Sequence, residues 1–458
     1  MKLTQISRCF QGVIPSLVAS ADATGMPNVT YVSQIHLIDD THVALSCQFF
    51  NKTRRNLDQN PNASVEVYDP LNMQAYRLRL RFQRSEKSGP LFDQMAMRIQ
   101  AIASHTGMEG VFRLIAADIF EVVKAEKVEN FLTESHEQPS EEISVTGLRT
   151  ELRGLQLISE RINRADDLET LLAAALDALS VYFGFEHTFV LLLDEITQRL
   201  VTIACRGYGG GVGAEVAIGE GVIGTVARER RVLRLNALNE GLRYGRAVRR
   251  SVMDTGTFSI RPEIPLPGLP DAQSAIVLPL MIEDRLVGAL AAESRDPVAF
   301  REWDEAYLEI IANQIALGID RVSQLDDTMS RPAAEVRIAP PPPPPVQAPV
   351  MARRHTFTYY RDDDAVFLDN EYLIRNVPGR ILWKLLGDYK KEGRTAFTNR
   401  ELRMDRSLGL PEIKDNLESR LILLRHRLRE KCPDVQITST GRGKFSLDVE
   451  ADLVLDER

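Results

Sequence analysis

Six consecutive prolines, Pro340 to Pro345, set the last ninety or so residues of this chain of 458 apart from everything before them. Each proline locks φ and removes a backbone donor, so neither a helix nor a sheet runs through such a segment. The run favours polyproline II and acts as a semi-rigid spacer. The whole chain is long enough for about three domains.

A hydrophobic content of 44% with 26% charged residues is that of an ordinary globular protein, which excludes a fibrous or wholly disordered chain. Cys9, Cys47, Cys205 and Cys432 lie far apart without a CxxC pair, so neither a disulfide framework nor a metal site is expected. The N-terminus has no apolar signal core and no apolar run approaches a membrane span; no membrane partner is expected, and the cytoplasm is the default location. A net charge of −8 argues against coating nucleic acid wholesale. From Tyr372 to Lys444, however, Lys and Arg outnumber Asp and Glu roughly two to one, which suits a basic binding module on an acidic body.

The expected division is residues 1–133, 146–325, a proline-rich linker over 326–355, and 356–458. The first part alternates short β runs with turns, as in Asn28–Val32, His42–Ser46, Ala63–Val67 and Tyr76–Phe82, and predicts a small barrel. The polar stretch Ser135–Glu142 marks its end. The second part opens on a helix from Leu152, alternates strand and helix signals, and closes on a helix near Trp303–Val322. Within it Arg243–Asp271 is rich in Gly and Pro and reads as a long irregular loop.

The densest polar cluster of the first part is Ser46-Cys47-Gln48-Phe49-Phe50-Asn51-Lys52-Thr53-Arg54-Arg55-Asn56-Leu57, with Asn60-Pro61 beyond. It follows a strand and opens a short helix, whose N-terminal amides with Lys52, Thr53 and Asn56 suit a phosphate. Spacing alone leaves a solvated basic turn equally open. The segment resembles the FMN-binding split barrel of the pyridoxamine 5′-phosphate oxidase-like family, over residues from about 8 to 125. The resemblance implies that Lys52 and Thr53 contact the flavin phosphate, with Asn51 and Asn56 supporting. It places Ser46 and Gln48 near the ring or ribityl chain and Ser33-Gln34 beside the isoalloxazine. The family's substrate-phosphate residues are not found here, so no catalytic residue is assigned. Related barrels hold haem or a deazaflavin, which stand as alternatives to FMN. Cys47 reads as a buried structural cysteine.

In the second part Gly219, Gly221 and Gly224 have the bare GxGxxG spacing, but no Walker lysine accompanies them. They read as a tight turn into a helix packed on a sheet. The pattern resembles a GAF domain, in which Gly-Glu-Gly-x-x-Gly precedes a short helix, over about residues 150 to 325. That resemblance implies an α/β sandwich, a small-molecule ligand of unknown identity and dimerisation through the flanking helices. Leu155, Ile158 and Ile162, and Leu308, Ile311, Ile315 and Ile319, recur at helical spacing as core stripes.

After the prolines come a helix at Arg380–Leu386, a capping box Thr398/Glu401, and a basic helix over Glu412–Lys431. Leu417, Leu421, Leu424 and Leu428 line the packing face of that last helix. Asn416, Arg420, Leu423 and Arg427 fall on an adjoining face expected to point outward. Arg suits guanine, Asn adenine, and Leu a thymine methyl. A hairpin from Val435 to Leu447 carries Arg442 and Lys444 at its tip. The order resembles the winged-helix output domain of bacterial response regulators over about residues 365 to 449. Two departures stand out: Ile422 and Leu423 occupy positions often basic in that family, and the tip reads Gly-Arg-Gly-Lys-Phe. Both leave protein binding open beside DNA binding.

The expected fold class is therefore multidomain α+β: an N-terminal β split barrel, a central α/β GAF sandwich and a C-terminal winged helix. The leading functional expectation is a cytoplasmic, homodimeric transcription regulator that responds to a ligand or redox state and binds double-stranded DNA. An FMN-dependent oxidoreductase with regulatory GAF and winged-helix parts, and a signalling scaffold without DNA, are the alternatives.

Overall fold

Strict alternation builds the N-terminal unit. Tyr76, Leu78 and Leu80 are buried while Arg77, Arg79 and Arg81 are exposed, as a two-residue period requires of a sheet with one apolar face. The computed structural model describes residues 1–12, 14–32, 34–48, 51–70, 72–129, 145–209, 211–255, 268–329, 353–410 and 417–458. The Ser135–Glu142 connector and the proline run lie outside them.

The N-terminal strands are β1 (Ser16–Ala21), β2 (Pro27–Val32), β3 (Ile35–Leu37), β4 (His42–Cys47), β5 (Asn62–Tyr68), β6 (Ala75–Glu86) and β7 (Ala116–Lys127). They form one curled antiparallel sheet in the order β2-β1-β5-β6-β7-β4-β3. Helix α1 (Asn51–Gln59) connects β4 to β5, and α2 (Pro90–His105) connects β6 to β7. Pro90 opens α2 where its missing N–H costs no hydrogen bond.

The central unit runs α3 (Val145–Arg164), α4 (Leu168–Phe183), β8 (His187–Asp194), β9 (Arg199–Arg206), β10 (Glu215–Ala217), α5 (Gly221–Glu229) and β11 (Leu233–Leu235). Then come α6 (Leu238–Thr255), β12 (Ser274–Ile282), β13 (Arg285–Ser294) and α7 (Glu302–Met329). Its antiparallel sheet has the order β10-β9-β8-β13-β12-β11. Alternation again decides the layers. Val190 and Leu192 join Ile158, Leu171, Ile311 and Ile315 beneath α3, α4 and α7. Leu191 and Leu200 join the opposite layer, where α2 of the N-terminal unit packs on α5 and α6. Fully burying each such Leu or Ile contributes about 1.5–3 kcal/mol. Asp167 caps α4 by accepting from the Thr170 amide at 2.7 Å, and Gly184 ends it in the left-handed conformation.

The expected loop Arg243–Asp271 is corrected in its first half, because α6 runs through Thr255; residues 256–267 lie outside the described residues. Leu242, just before that stretch on α6, is buried. Gly245 has a packing reason: a Cβ would sit 3.1 Å from Ile102 and Thr106 of the N-terminal unit. A glycine that read as irregularity lies on the close-packed face of a helix.

After the linker come β14 (Arg354–Tyr360), β15 (Ala365–Leu368), β16 (Glu371–Ile374), α8 (Asn376–Glu392), β17 (Ala396–Thr398), α9 (Asn399–Met404), α10 (Leu417–Lys431), β18 (Val435–Gly441), β19 (Lys444–Val449) and β20 (Asp452–Glu457). Helices α8, α9 and α10 pack on the sheet β17-β19-β18, with Leu417, Leu421, Leu424 and Leu428 in the shared core. Thr398 and Glu401 form the reciprocal cap of α9, each backbone amide donating to the other's side chain at 3.2 Å. Strand β20, unforeseen in the sequence, pairs in parallel with β14 and closes a second sheet in the order β16-β15-β14-β20.

Candidate functional site

The polar turn after β4 is built from the sheet upward. Ser46 and Gln48 are buried at the end of β4, and the Ser46 amide donates to the Gln34 carbonyl at 3.1 Å. Helix α1 is held by three side chains. Arg54 donates to buried Asp118 at 2.9 Å and lies over the Phe82 ring at 4.6 Å. Asn56 donates to Ser20 at 3.1 Å, and Thr53 Oγ1 accepts from Asn28 at 3.0 Å. As an acceptor there, the Thr53 hydroxyl keeps its own proton to donate. Lys52 is exposed in the first turn of α1. Ser33, Asn416 and the side chain of Asn51 lie outside the described residues.

Gln34 also borders a cavity of about 270 Å³ between the N-terminal and central units, with Tyr31, Arg98, Ile102, Phe112 and Gly241. Lys52, Thr53 and Asn56 are not among its described lining residues. Arg98 ties the junction, donating to the Gln11 carbonyl at 3.0 Å and to the Asn236 carbonyl at 3.3 Å. Burial, with Arg234 nearby, pulls its pKa down to about 10.

On the far side of the central unit the expected outward face of α10 requires a correction. Arg420 is only 3% exposed, and its Nη2 lies 3.6 Å from Asp194 Oδ2 at the end of β8. Ile422 is buried in the core of the central unit and Leu423 packs against it. Arg427 pairs with Glu430 at 3.1 Å on its own helix, close to the Gly213 loop. Arg425 reaches Glu169 of α4 at 3.1 Å, and Glu418 accepts from the Leu168 amide at 3.3 Å. The adjoining cleft, about 470 Å³, is lined on one side by Asp166, Asp167 and Glu169 and on the other by Arg425, Arg442 and Lys444. Arg442 Nε and Nη2 are shut from solvent with no hydrogen-bond partner among the described residues, whereas Lys444 is exposed.

Residues 5–128 match the profile of the pyridoxamine 5′-phosphate oxidase family, and residues 165–320 match that of the GAF domain. The chain joins an oxidase-like N-terminal domain to a GAF domain. A comparison with curated proteins finds no match. Among solved structures, the GAF domain of an Acinetobacter phosphoenolpyruvate-protein phosphotransferase is 21% identical, covering 38% of this chain and 95% of its own, at a TM-score of 0.31. Free methionine-R-sulfoxide reductase from Neisseria meningitidis is 19% identical, covering 42% and 98%, at 0.32. An FMN-binding protein from Syntrophomonas wolfei subsp. wolfei is 19% identical, covering 27% and 85%, at 0.23.

Within the GAF domain the glycine turn is the tight entry to a helix that its spacing implied. Gly219 and Gly221 have positive φ, and a Cβ on Gly224 would sit 2.2 Å from the Ala217 carbonyl. Sequence reasoning missed that Ser104 of the oxidase-like domain caps this turn. It also missed Glu169, Asp194 and Glu418, which receive or mirror the basic face of α10. A signal existed only for the last group: apolar Ile422 and Leu423 stand where a basic pair was expected. Among the described residues no helix is long and apolar enough to cross a membrane, and no cluster of metal-ligating side chains occurs.

Proposed function

We propose that the chain is a ligand- or redox-responsive transcription regulator. In this reading the oxidase-like barrel holds FMN or a related ring, the GAF domain takes a second small molecule, and the C-terminal module is a winged helix for duplex DNA. The observation that carries it is the seat of α10: the helix bearing Arg420, Leu423 and Arg427 rests on the GAF sandwich. A sensor and its reader in direct contact can be coupled by unequal ligand affinity for the docked and released arrangements, without any chemistry.

The α1 turn supports the cofactor assignment. Helical amides, exposed Lys52 and the Thr53 hydroxyl suit a phosphate, while Asn56 and Arg54 fix the helix that presents them. FMN, when bound, supplies a redox-active ring. Exposed Leu152, Val181, Trp303, Ile310 and Leu317 on α3, α4 and α7 favour a homodimer through these helices.

The test is made on the purified full chain. A flavin absorption spectrum together with salt-sensitive binding to pooled genomic duplex fragments is the expected result. A colourless protein removes the flavin assignment. Turnover of a reductant without any duplex binding favours the oxidoreductase reading instead.

A further inference from the structure

The face of α10 that the DNA reading needs is the face the GAF domain covers. A helix enters a major groove about 12 Å wide only when nothing else is seated on its reading side. Here Arg420 is desolvated against Asp194, and Ile422 with Leu423 fills the GAF core. The charges also match in register. Glu169 of α4 faces Arg425 at 3.1 Å and Arg429 at 3.9 Å. In return, Glu418 of α10 sits at the N-terminus of α4, where unsatisfied amides favour an anion. Asp166 and Asp167 line the same cleft as the hairpin-tip residues Arg442 and Lys444.

We propose that the acidic corner of the GAF domain, Glu169 and Asp194 with Asp166 and Asp167 beside them, is an internal stand-in for the DNA phosphate backbone. It holds α10 and the hairpin tip closed, and duplex DNA must displace it. The proposal rests on the reading of the C-terminal module as a DNA binder. It accounts for one of the departures noted in the sequence: Ile422 and Leu423 are apolar because their partner in the closed chain is a protein core.

The experiment compares the full chain with its Glu169→Lys/Asp194→Asn variant. Asparagine retains the Oδ1 with which Asp194 accepts from the Ile196 and Thr197 amides, so the β8–β9 turn keeps its cap. Two quantities are read at low salt: the radius of gyration by small-angle X-ray scattering, and fluorescence anisotropy on pooled genomic duplex fragments. The expected result is a larger radius and at least tenfold tighter duplex binding in the variant. Adding Arg425→Glu to the variant restores a close opposite-charge pair and returns the radius toward that of the parent.

An enlarged radius with duplex binding unchanged but measurable overturns the competition while leaving the DNA reading in place. An unchanged radius with unchanged binding overturns the proposal in the same way. No duplex binding by either chain, whatever the radius, overturns both the proposal and the reading on which it rests.

Discussion

The Gly221 amide at the start of α5 donates to Ser104 Oγ at 2.9 Å, and Ser104 in turn donates to the Gly219 carbonyl at 3.0 Å. A residue of the oxidase-like domain therefore completes the glycine turn of the GAF domain. Ser104→Ala leaves a buried amide and a buried carbonyl without partners, a loss of about 1–3 kcal/mol. The expected outcome is a lower urea midpoint, with α5 amides exchanging faster than those of the central sheet. Unchanged exchange at α5 contradicts the capping role.

Gly224 gives a complementary test inside the same turn. Its amide donates to the Glu220 carbonyl at 3.0 Å, and its missing side chain leaves room for the Ala217 carbonyl. Gly224→Ala forces that carbonyl aside, and overpacking of this kind costs about 1–3 kcal/mol. Thermal unfolding should fall by several degrees, whereas Gly387→Ala in α8, where a Cβ meets nothing within 4 Å, should be neutral or slightly stabilising.

His355 lies between Asp434 at 2.9 Å and Asp369 at 2.8 Å, and hydrogen bonds to these two carboxylates raise its pKa above the ordinary 6.5. A raised folded-state value stabilises the fold fully below the unfolded pKa and is lost as pH rises through the folded one. Unfolding midpoints of the C-terminal module should therefore decline as pH climbs from about 6 through the raised value. His355→Gln should flatten that decline. A slope that persists in the variant assigns it to another group.

Lys52 is exposed in the first turn of α1, whereas Arg54 on the same helix is committed to buried Asp118. Lys52→Ala should lower flavin content several-fold with no change in melting temperature. Arg54→Ala should destabilise by about 2 kcal/mol, because it strips a buried carboxylate of its cation while the partly exposed partner discounts the loss. Full flavin occupancy in Lys52→Ala removes the phosphate assignment.

Much of the local structure is legible from residue spacing. The alternation in Tyr76–Phe82, the leucines of α10 and the Thr398/Glu401 cap are signals of three to a dozen residues, and each sits where its period predicts. Legibility fails where an element's role depends on another domain. Helix α6 is hidden because Gly241 and Gly245 weaken a helical pattern, and their purpose is the close approach of Ile102. Arg420 reads as solvent-facing because helical periodicity separates the packing face from the rest. It does not separate a face open to water from one covered by a neighbouring domain.

The sequence by itself determined the alternation of β6, the leucine stripe of α10 and the cap of α9, and that basic charge gathers after Pro340–Pro345. These properties arise from backbone geometry and side-chain periodicity, which act over a few residues. Only the tertiary structure decided that Ser104 closes the GAF turn and that Asp194 and Glu169 meet Arg420 and Arg425. Those pairings join residues more than a hundred positions apart, and their strength comes from desolvation when domains meet, a property of the assembled fold and not of any segment.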